Sequence, residues 1–184
     1  YPPGSLFRVI LAAAALEKGI VTKDTGFTCS GSIETEGIRV KCPSGGSGGH
    51  GEIRFCDAMA RSCNALWAQV SLKTGAKTIL ETAQAFGFGE EAVDLLSGQA
   101  KGNLPSLEEA PGADIVNLSS GREHLSITPM QAARMIRIIA SGGWDSPLSV
   151  IRGTVEGVKG AALLPKLQGR QVISPETARI IGEM

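Results

Sequence analysis

The chain opens on a phrase that limits what can follow it: Tyr1-Pro2-Pro3-Gly4-Ser5-Leu6-Phe7-Arg8. The prolines and the glycine form a tight turn. Beyond it Ala and Leu dominate, Ser5 stands where a helix is capped and Gly19 where one is closed, so a helix is predicted over Ser5 to Lys18. This puts a hydroxyl at the mouth of a helix with a long cationic side chain, Arg8, one turn behind it. The apolar run Ile10 to Leu16 inside it is too short for a membrane span, which needs roughly 18 residues or more. It also follows a turn rather than a basic signal region.

The core of such a chain has to come from small aliphatic residues. There are 24 Gly among 184 residues but only five Phe, two Trp and one Tyr, which leaves Ala, Ile, Leu and Val to fill it. The length suits one domain. A net charge of zero argues against a nucleic-acid binder, which would carry a basic excess. Both ends read as cut: no initiating Met is present, and Ser174-Pro175-Glu176 opens a helix that reaches Met184 without a Gly or Asn stop. Residues 1–184 are therefore expected to be a single, partial domain of a longer protein.

Along the chain, Phe27 to Cys42 alternates around a Glu36-Gly37 turn and predicts a surface β-hairpin. Pro43 to Gly51 is a glycine-serine loop. Helices are predicted over Glu52 to Arg61, Ala65 to about Leu72, and Ala76 to Phe86, with a break at Ser62-Cys63-Asn64 and stops at Gly87 and Gly89. Glu90 to Arg122 lacks periodicity and contains Pro105 and Pro111. It reads as a long, partly ordered excursion, usually a functional feature in a compact domain. Thr128-Pro129 opens a helix running to Ala140, with Met130, Ala133, Ile136 and Ala140 at helical spacing, ended by Gly142-Gly143. Trp144 to Val172 is irregular, with short extended pieces around Val150-Ile151, and a last helix follows Ser174. The expected fold is mainly α, with one β-hairpin and little or no central sheet.

A serine hydroxyl becomes a useful nucleophile when a base removes its proton. At a helix start, the dipole and free backbone N–H groups favour developing negative charge, and a base three residues on lies on the same face. Taken singly, Ser5 is an ordinary N-cap, Arg8 a solvated helix residue, and Ser62 and Asn64 the residues favoured at any helix break. Arginine is moreover a poor base. Neutralising it near pH 7 costs about 8 kcal/mol, at roughly 1.36 kcal/mol for each of about 6 pH units.

Together the phrases carry more. Tyr1 to Arg8, followed by Ser62-Cys63-Asn64 after Gly49-His50-Gly51, resembles two of the three active-site motifs of penicillin-binding-protein transpeptidases, within the serine D,D-peptidase and β-lactamase-like superfamily. Phe86-Gly87-Phe88-Gly89, Lys101-Gly102-Asn103-Leu104-Pro105, Ile127 to Ala133 with Ala140-Ser141-Gly142-Gly143, and Val172 to Ala178 extend the likeness along nearly the whole chain. The resemblance implies the helical half of an α/β transpeptidase domain. It implies Ser5 as the acylated nucleophile, Ser62 as a proton relay to the leaving group and Asn64 as a hydrogen-bond partner of the substrate amide. It also implies a peptidoglycan stem peptide or a β-lactam as ligand, cell-wall assembly proteins as partners, and an extracytoplasmic, membrane-anchored place in the cell envelope, the anchor lying outside this chain.

Two departures stand against full activity. Arg8 holds the place of the motif lysine, and it is expected to hold Ser5 and Ser62 or attract a carboxylate rather than act as a base. Lys73-Thr74-Gly75 spells the third motif but lies directly after a helix, where it reads as a helix-end turn; the strand-borne motif is expected beyond Met184. The expected function is a D,D-transpeptidase-type protein with impaired catalysis, the alternative being a non-catalytic scaffold or cell-wall-binding module. A β-lactam hydrolase ranks below both, because Glu108 to Gly121 contains no Glu-x-x-Leu-Asn-like loop.

Cys29 and Cys42 flank the hairpin turn within reach of a disulfide, which the implied extracytoplasmic location permits. Cys56 and Cys63 are about 10 Å apart along a helix and read as buried thiols. His50 reads as a structural loop residue. No Cys-x-x-Cys pair exists and neither His50 nor His124 has an acidic partner at ligand spacing, so neither a metal site nor a cofactor is expected.

Overall fold

The computed structural model describes residues 1–35, 37–94, 96–108, 112–121, 124–150, 153–155, 161–163 and 168–184. Glu36, Pro111, Arg122 and Ile151, named in the readings above, lie outside them.

The first helix organises the rest. A 3-10 turn, Gly4–Phe7, runs directly into α1, Arg8–Glu17. Ile10, Leu11 and Ala12 through Ala15 are wholly buried, so this helix is covered on every side. Small side chains let its neighbours approach closely. Packed on it are α2 (Asn64–Thr74), α3 (Ala76–Ala85) and α6 (Pro175–Glu183), with α5 (Pro129–Ala140) behind α6. The few aromatic residues sit at the joints: Phe7 lies 6.2 Å from Phe88, and Phe55 meets Trp67 edge-on at 5.6 Å.

The extended segments form small pairs. Among the described residues there are five two-stranded sheets and nothing larger. β1 (Gly26–Cys29) pairs antiparallel with β4 (Gly51–Arg54), and β2 (Ser32–Thr35) with β3 (Ile38–Lys41). β5 (Val93–Asp94) runs parallel to β7 (Leu148–Ser149), β6 (Trp144–Asp145) pairs with β10 (Arg170–Gln171), and β8 (Gly153–Val155) with β9 (Ala161–Leu163). The molecule thus combines helices with several small sheets, where one hairpin was expected.

Three readings are corrected. The hairpin is Ser32–Lys41 rather than Phe27–Cys42, because β1 takes β4 as its partner. The segment Glu52 to Arg61 is a strand and a 3-10 turn, Phe55–Asp57, rather than a helix. Ile53 points inward between exposed Glu52 and Arg54, and pairing with β1 outweighs the helical propensity of the following residues. The excursion after Glu90 contains a helix, α4 (Gly112–Ser119), which packs on α2.

The fifth helix starts where expected, on a capping box between Thr128 and Gln131. It buries a different face. Met130 and Ile136 are exposed, whereas Gln131, Met135 and Ile138 are wholly buried. The side-chain amide of Gln131 donates to the carbonyls of Gly87 (3.3 Å), Glu90 (2.8 Å) and Lys101 (2.8 Å). A polar residue therefore occupies the inward position because its two amide N–H groups satisfy the Glu90 and Lys101 carbonyls, with Gly87 sharing one of them at longer range. Behind this helix the buried carboxylate of Asp145 is shared by Arg134 (2.6 Å) and Arg137 (2.9 Å), which ties α5 to β6.

The cap of α6 is linked to the end of α1. The backbone N–H and hydroxyl of Ser174 donate to the Glu17 carboxylate at 2.9 and 2.7 Å. Burial raises the pKa of Glu17, but hydrogen bonds from Thr177 and Ser174 outweigh it and leave the group below its ordinary value of 4.5. A depressed carboxylate stabilises the fold above its unfolded pKa, and that contribution drains as pH falls through the folded value.

Two predictions follow from this packing. Met135→Ala is expected to cost about 2–5 kcal/mol and Ile136→Ala within about 0.5 kcal/mol, measured by urea unfolding. Glu17→Gln is expected to flatten the loss of stability with acidification below pH 4.5 while leaving the neutral-pH slope unchanged, measured by unfolding midpoints across an acid series.

Candidate active site

A pocket of about 390 Å³ opens beside the first turn. It is lined by Ser5 and Arg8 from the start of the chain, Val40 and Pro43 from β3 and the loop after it, Ser62 and Asn64, and Ser119 and Ser120 from the end of α4. The four residues singled out as catalytic candidates, Ser5, Arg8, Ser62 and Asn64, thus share one groove. Lys73, Thr74 and Gly75 do not line it. Lys73 and Thr74 close α2, Gly75 turns the chain into α3, and the Lys73 ammonium lies over the Phe27 ring at 5.3 Å.

Ser5 reaches the pocket by a different route from the one expected. It lies inside the 3-10 turn, with Pro3 in the N-cap position and no side-chain capping bond. The turn is fastened from outside: Gly4 N–H donates to the Gly121 carbonyl at 2.8 Å. Gly121 has φ +61°, and a Cβ there would sit 2.0 Å from the Gly4 carbonyl oxygen. A glycine after α4 is therefore what lets the serine turn close against it.

The second corner is strained. Ser62 adopts φ +49°, a left-handed conformation sparsely populated by residues other than glycine and concentrated at functional positions. Its N–H donates to Met59 and that of Cys63 to Ala58, after which Asn64 starts α2. The Asn64 amide is engaged at both ends. Its nitrogen donates to the Lys41 carbonyl at 3.0 Å, and its oxygen accepts from Arg8 Nη2.

Arg8 is buried, and its Nε has no partner. Burial lowers the pKa of the guanidinium, and the nearby Cys63 and Cys42 sulfurs raise it in part. Among the described residues no hydrogen bond joins Arg8 to Ser5 or Ser62, the partners expected from the sequence. Arg8 instead crosses to the far wall and holds Asn64.

All four cysteines are free, so the disulfide that the sequence permitted between Cys29 and Cys42 is not formed. Cys29, Cys42 and Cys63 instead gather with His50 directly behind the Ser62–Asn64 corner, where no metal-type grouping was expected. Ser44 Oγ lies 3.3 Å from Cys42 Sγ and 3.1 Å from His50 Nδ1. Burial pushes the Cys42 thiol up, but hydrogen bonds from Ser44, Cys29 and the Asn64 backbone overcome this and bring it to about 6. Burial, together with the neighbouring sulfurs, pushes Cys63 up to about 12.

The pocket residues missed by sequence reasoning are Val40 and Pro43 on one side and, on the other, those at the end of α4 and just after it. Ser119 and Ser120 donate to the carbonyls of Val116 and Asn117. The one signal pointing to them was Gly121, a helix stop one residue past Ser120.

The Ser5 and Ser62 hydroxyls, a guanidinium and an amide thus face one groove beside a helix entrance, group types found in sites built for serine acyl transfer. The sequence profile of the penicillin-binding-protein transpeptidase domain matches residues 1–184, and the chain belongs to this family. It is 29% identical to penicillin-binding protein PbpB of Mycolicibacterium smegmatis, the match covering 100% of this chain and 28% of that protein. It is 26% identical to peptidoglycan D,D-transpeptidase PbpA of Mycobacterium tuberculosis, over 100% of this chain and 38% of the relative. Among solved structures it is similar to the imipenem acyl-enzyme complex of penicillin-binding protein A from M. tuberculosis, with a TM-score of 0.89 and 26% identity, covering 100% of this chain and 42% of the other. The chain thus spans well under half the length of these relatives.

Gly121→Ala is expected to destabilise the fold at least twice as much as Gly142→Ala. Both carry positive φ, which costs about 1 kcal/mol or more in either variant, but only at Gly121 does the added Cβ meet backbone. Urea unfolding of the two variants measures the difference.

Proposed function

We propose that this chain forms the serine-bearing, helical part of a peptidoglycan D,D-transpeptidase of the penicillin-binding type, acting by acyl transfer through Ser5. The observation that carries this reading is the convergence of Ser5, Arg8, Ser62 and Asn64 on one pocket in a chain of this family. The ligand is a peptidoglycan stem peptide or a β-lactam. The imipenem adduct of the M. tuberculosis relative supports the latter. Work on peptidoglycan places the protein in the cell envelope, on its extracytoplasmic side. No helix among the described residues is long and apolar enough to cross a membrane; a membrane anchor carried by other segments of the protein is part of this reading. Cell-wall assembly proteins are the expected partners.

Acyl transfer requires that the Ser5 hydroxyl lose its proton as its oxygen bonds to the substrate carbonyl, and that a proton reach the departing amine. Arg8 is badly suited to the first task. A guanidinium has five donors and no lone pair to offer, and this one is committed to Asn64. Its role is to fix the amide that faces the substrate, and acylation is strongly slowed for want of a base at that position. The same bond favours a second reading, a non-catalytic scaffold or cell-wall-binding module, in which the pocket is kept as a recognition surface.

The test is labelling of the full-length protein by a fluorescent penicillin. Slow or absent labelling of wild type, with a rise of at least about tenfold in Arg8→Lys and none in Ser5→Ala/Arg8→Lys, supports an acyl-transfer site held back by arginine. Rapid stoichiometric labelling of wild-type Ser5 overturns the impairment. No labelling of either Arg8 form, with stem-peptide binding retained, favours the scaffold.

A further inference from the structure

We propose that Cys29, Cys42, His50 and Cys63 form a zinc site that clamps the Ser62–Asn64 corner of the pocket to the β1–β4 strand pair. The four donor atoms, three sulfurs and one imidazole nitrogen, all lie within 4.8 Å of one another. A tetrahedral zinc, with Zn–S near 2.3 Å and Zn–N near 2.0–2.1 Å, sets its donors about 3.5–3.8 Å apart. Cys42 Sγ is 3.9 Å from Cys63 Sγ and 3.2 Å from His50 Nδ1. Small side-chain rotations bring the set to coordination distance, and three thiolates with one imidazole are a donor set that selects zinc among the common divalent ions.

The grouping is not explained by chain continuity. Cys29 ends β1, Cys42 follows β3, His50 precedes β4, and Cys63 precedes α2. Four separate segments thus deliver one ligand each to a single point. Three of the ligands are buried and His50 is half-buried, which suits a closed structural site rather than an open catalytic one. Cys56, the remaining cysteine, stands apart beside Asp57.

The charge balance also fits. Three thiolates around Zn²⁺ leave one negative charge in a buried place, and such a charge needs a counter-ion. Arg8 is buried and has an unpartnered Nε, and the Cys63 and Cys42 sulfurs are close enough to offset in part the effect of burial on its guanidinium. It bonds Asn64 from that position. The metal would thereby hold Cys63, and with it the strained Ser62 on one side and Asn64 on the other, while anchoring the arginine that spans the pocket.

The site uses neither Ser5 nor any acyl chemistry, so its test is separate from that of the proposed function. The full-length protein is purified under reducing conditions without a chelator or a polyhistidine tag. Stoichiometric zinc by mass spectrometry is expected, with Cys56 alone reactive among the four cysteines of residues 1–184, and all four reactive after chelation and unfolding, read by peptide mapping of the alkylated protein. Replacement by Co²⁺ is expected to give a thiolate-to-metal charge-transfer band and the intense visible bands of tetrahedral cobalt. Cys29→Ser, outside the pocket lining, is expected to weaken zinc binding by ~100-fold or more, as loss of a primary ligand exceeds the 10–100-fold loss typical of outer partners. Cys56→Ser is expected to leave it unchanged. His50→Ala serves if Cys29→Ser does not fold. Protein that lacks zinc and takes up none when it is added in the presence of a reductant overturns the proposal. So does a Cys42–Cys63 disulfide found by peptide mapping of the protein as isolated.

Discussion

The complete burial of the first helix from Ile10 to Ala15 is the constraint on which the rest depends. Four consecutive alanines, flanked by Ile10, Leu11 and the Phe7 ring, give α1 a thin profile that three other helices can surround. A helix so enclosed cannot shift along its axis without opening the core on every side, because packed interiors resist deformation. Its N-terminal end, carrying Ser5 and Arg8, is therefore delivered to a fixed place. The hydrogen bond from Gly4 to Gly121 secures the turn at that end, and the Glu17–Ser174 contact secures the other.

Against this fixed wall stands a second one built from weaker material. The Ser62–Asn64 corner follows only a short 3-10 turn and includes a left-handed serine. Such strain persists only where the surroundings overdetermine it. Here they do so through the Asn64 amide, held between Arg8 and the Lys41 carbonyl, and through Cys63, packed among two other thiols and an imidazole. Arginine at position 8 is central to both. Lysine would bring one compact ammonium, whereas the planar guanidinium donates across the pocket while keeping its charge near the sulfurs.

Much of this was legible in the sequence. The Thr128 and Ser174 caps and the Gly75 joint are written in local residue chemistry and lie where that chemistry put them, whereas the first helix is there but starts at Arg8, after a 3-10 turn that takes in Ser5. The family was legible because short motifs and their order survive in a single chain. Errors arose where two elements compete for the same residues. Phe27 to Cys29 alternates as a hairpin strand does, but its partner is β4, a segment whose own composition reads as helix. Met130 and Ile136 are apolar at helical spacing, yet the inward face belongs to Gln131, Met135 and Ile138, the Gln131 amide being held there by the distant carbonyls of Glu90 and Lys101.

Residue types and their spacing along the chain were enough to single out four of the side chains that line the pocket, Ser5, Arg8, Ser62 and Asn64, because they sit at or beside breaks that local conformational preference defines. Only the tertiary structure decided what those side chains touch. Arg8 meets Asn64 rather than Ser5, and Cys29, Cys42, His50 and Cys63 meet each other, because these contacts arise where separate segments are packed against one buried helix. Local periodicity carries no information about such distances.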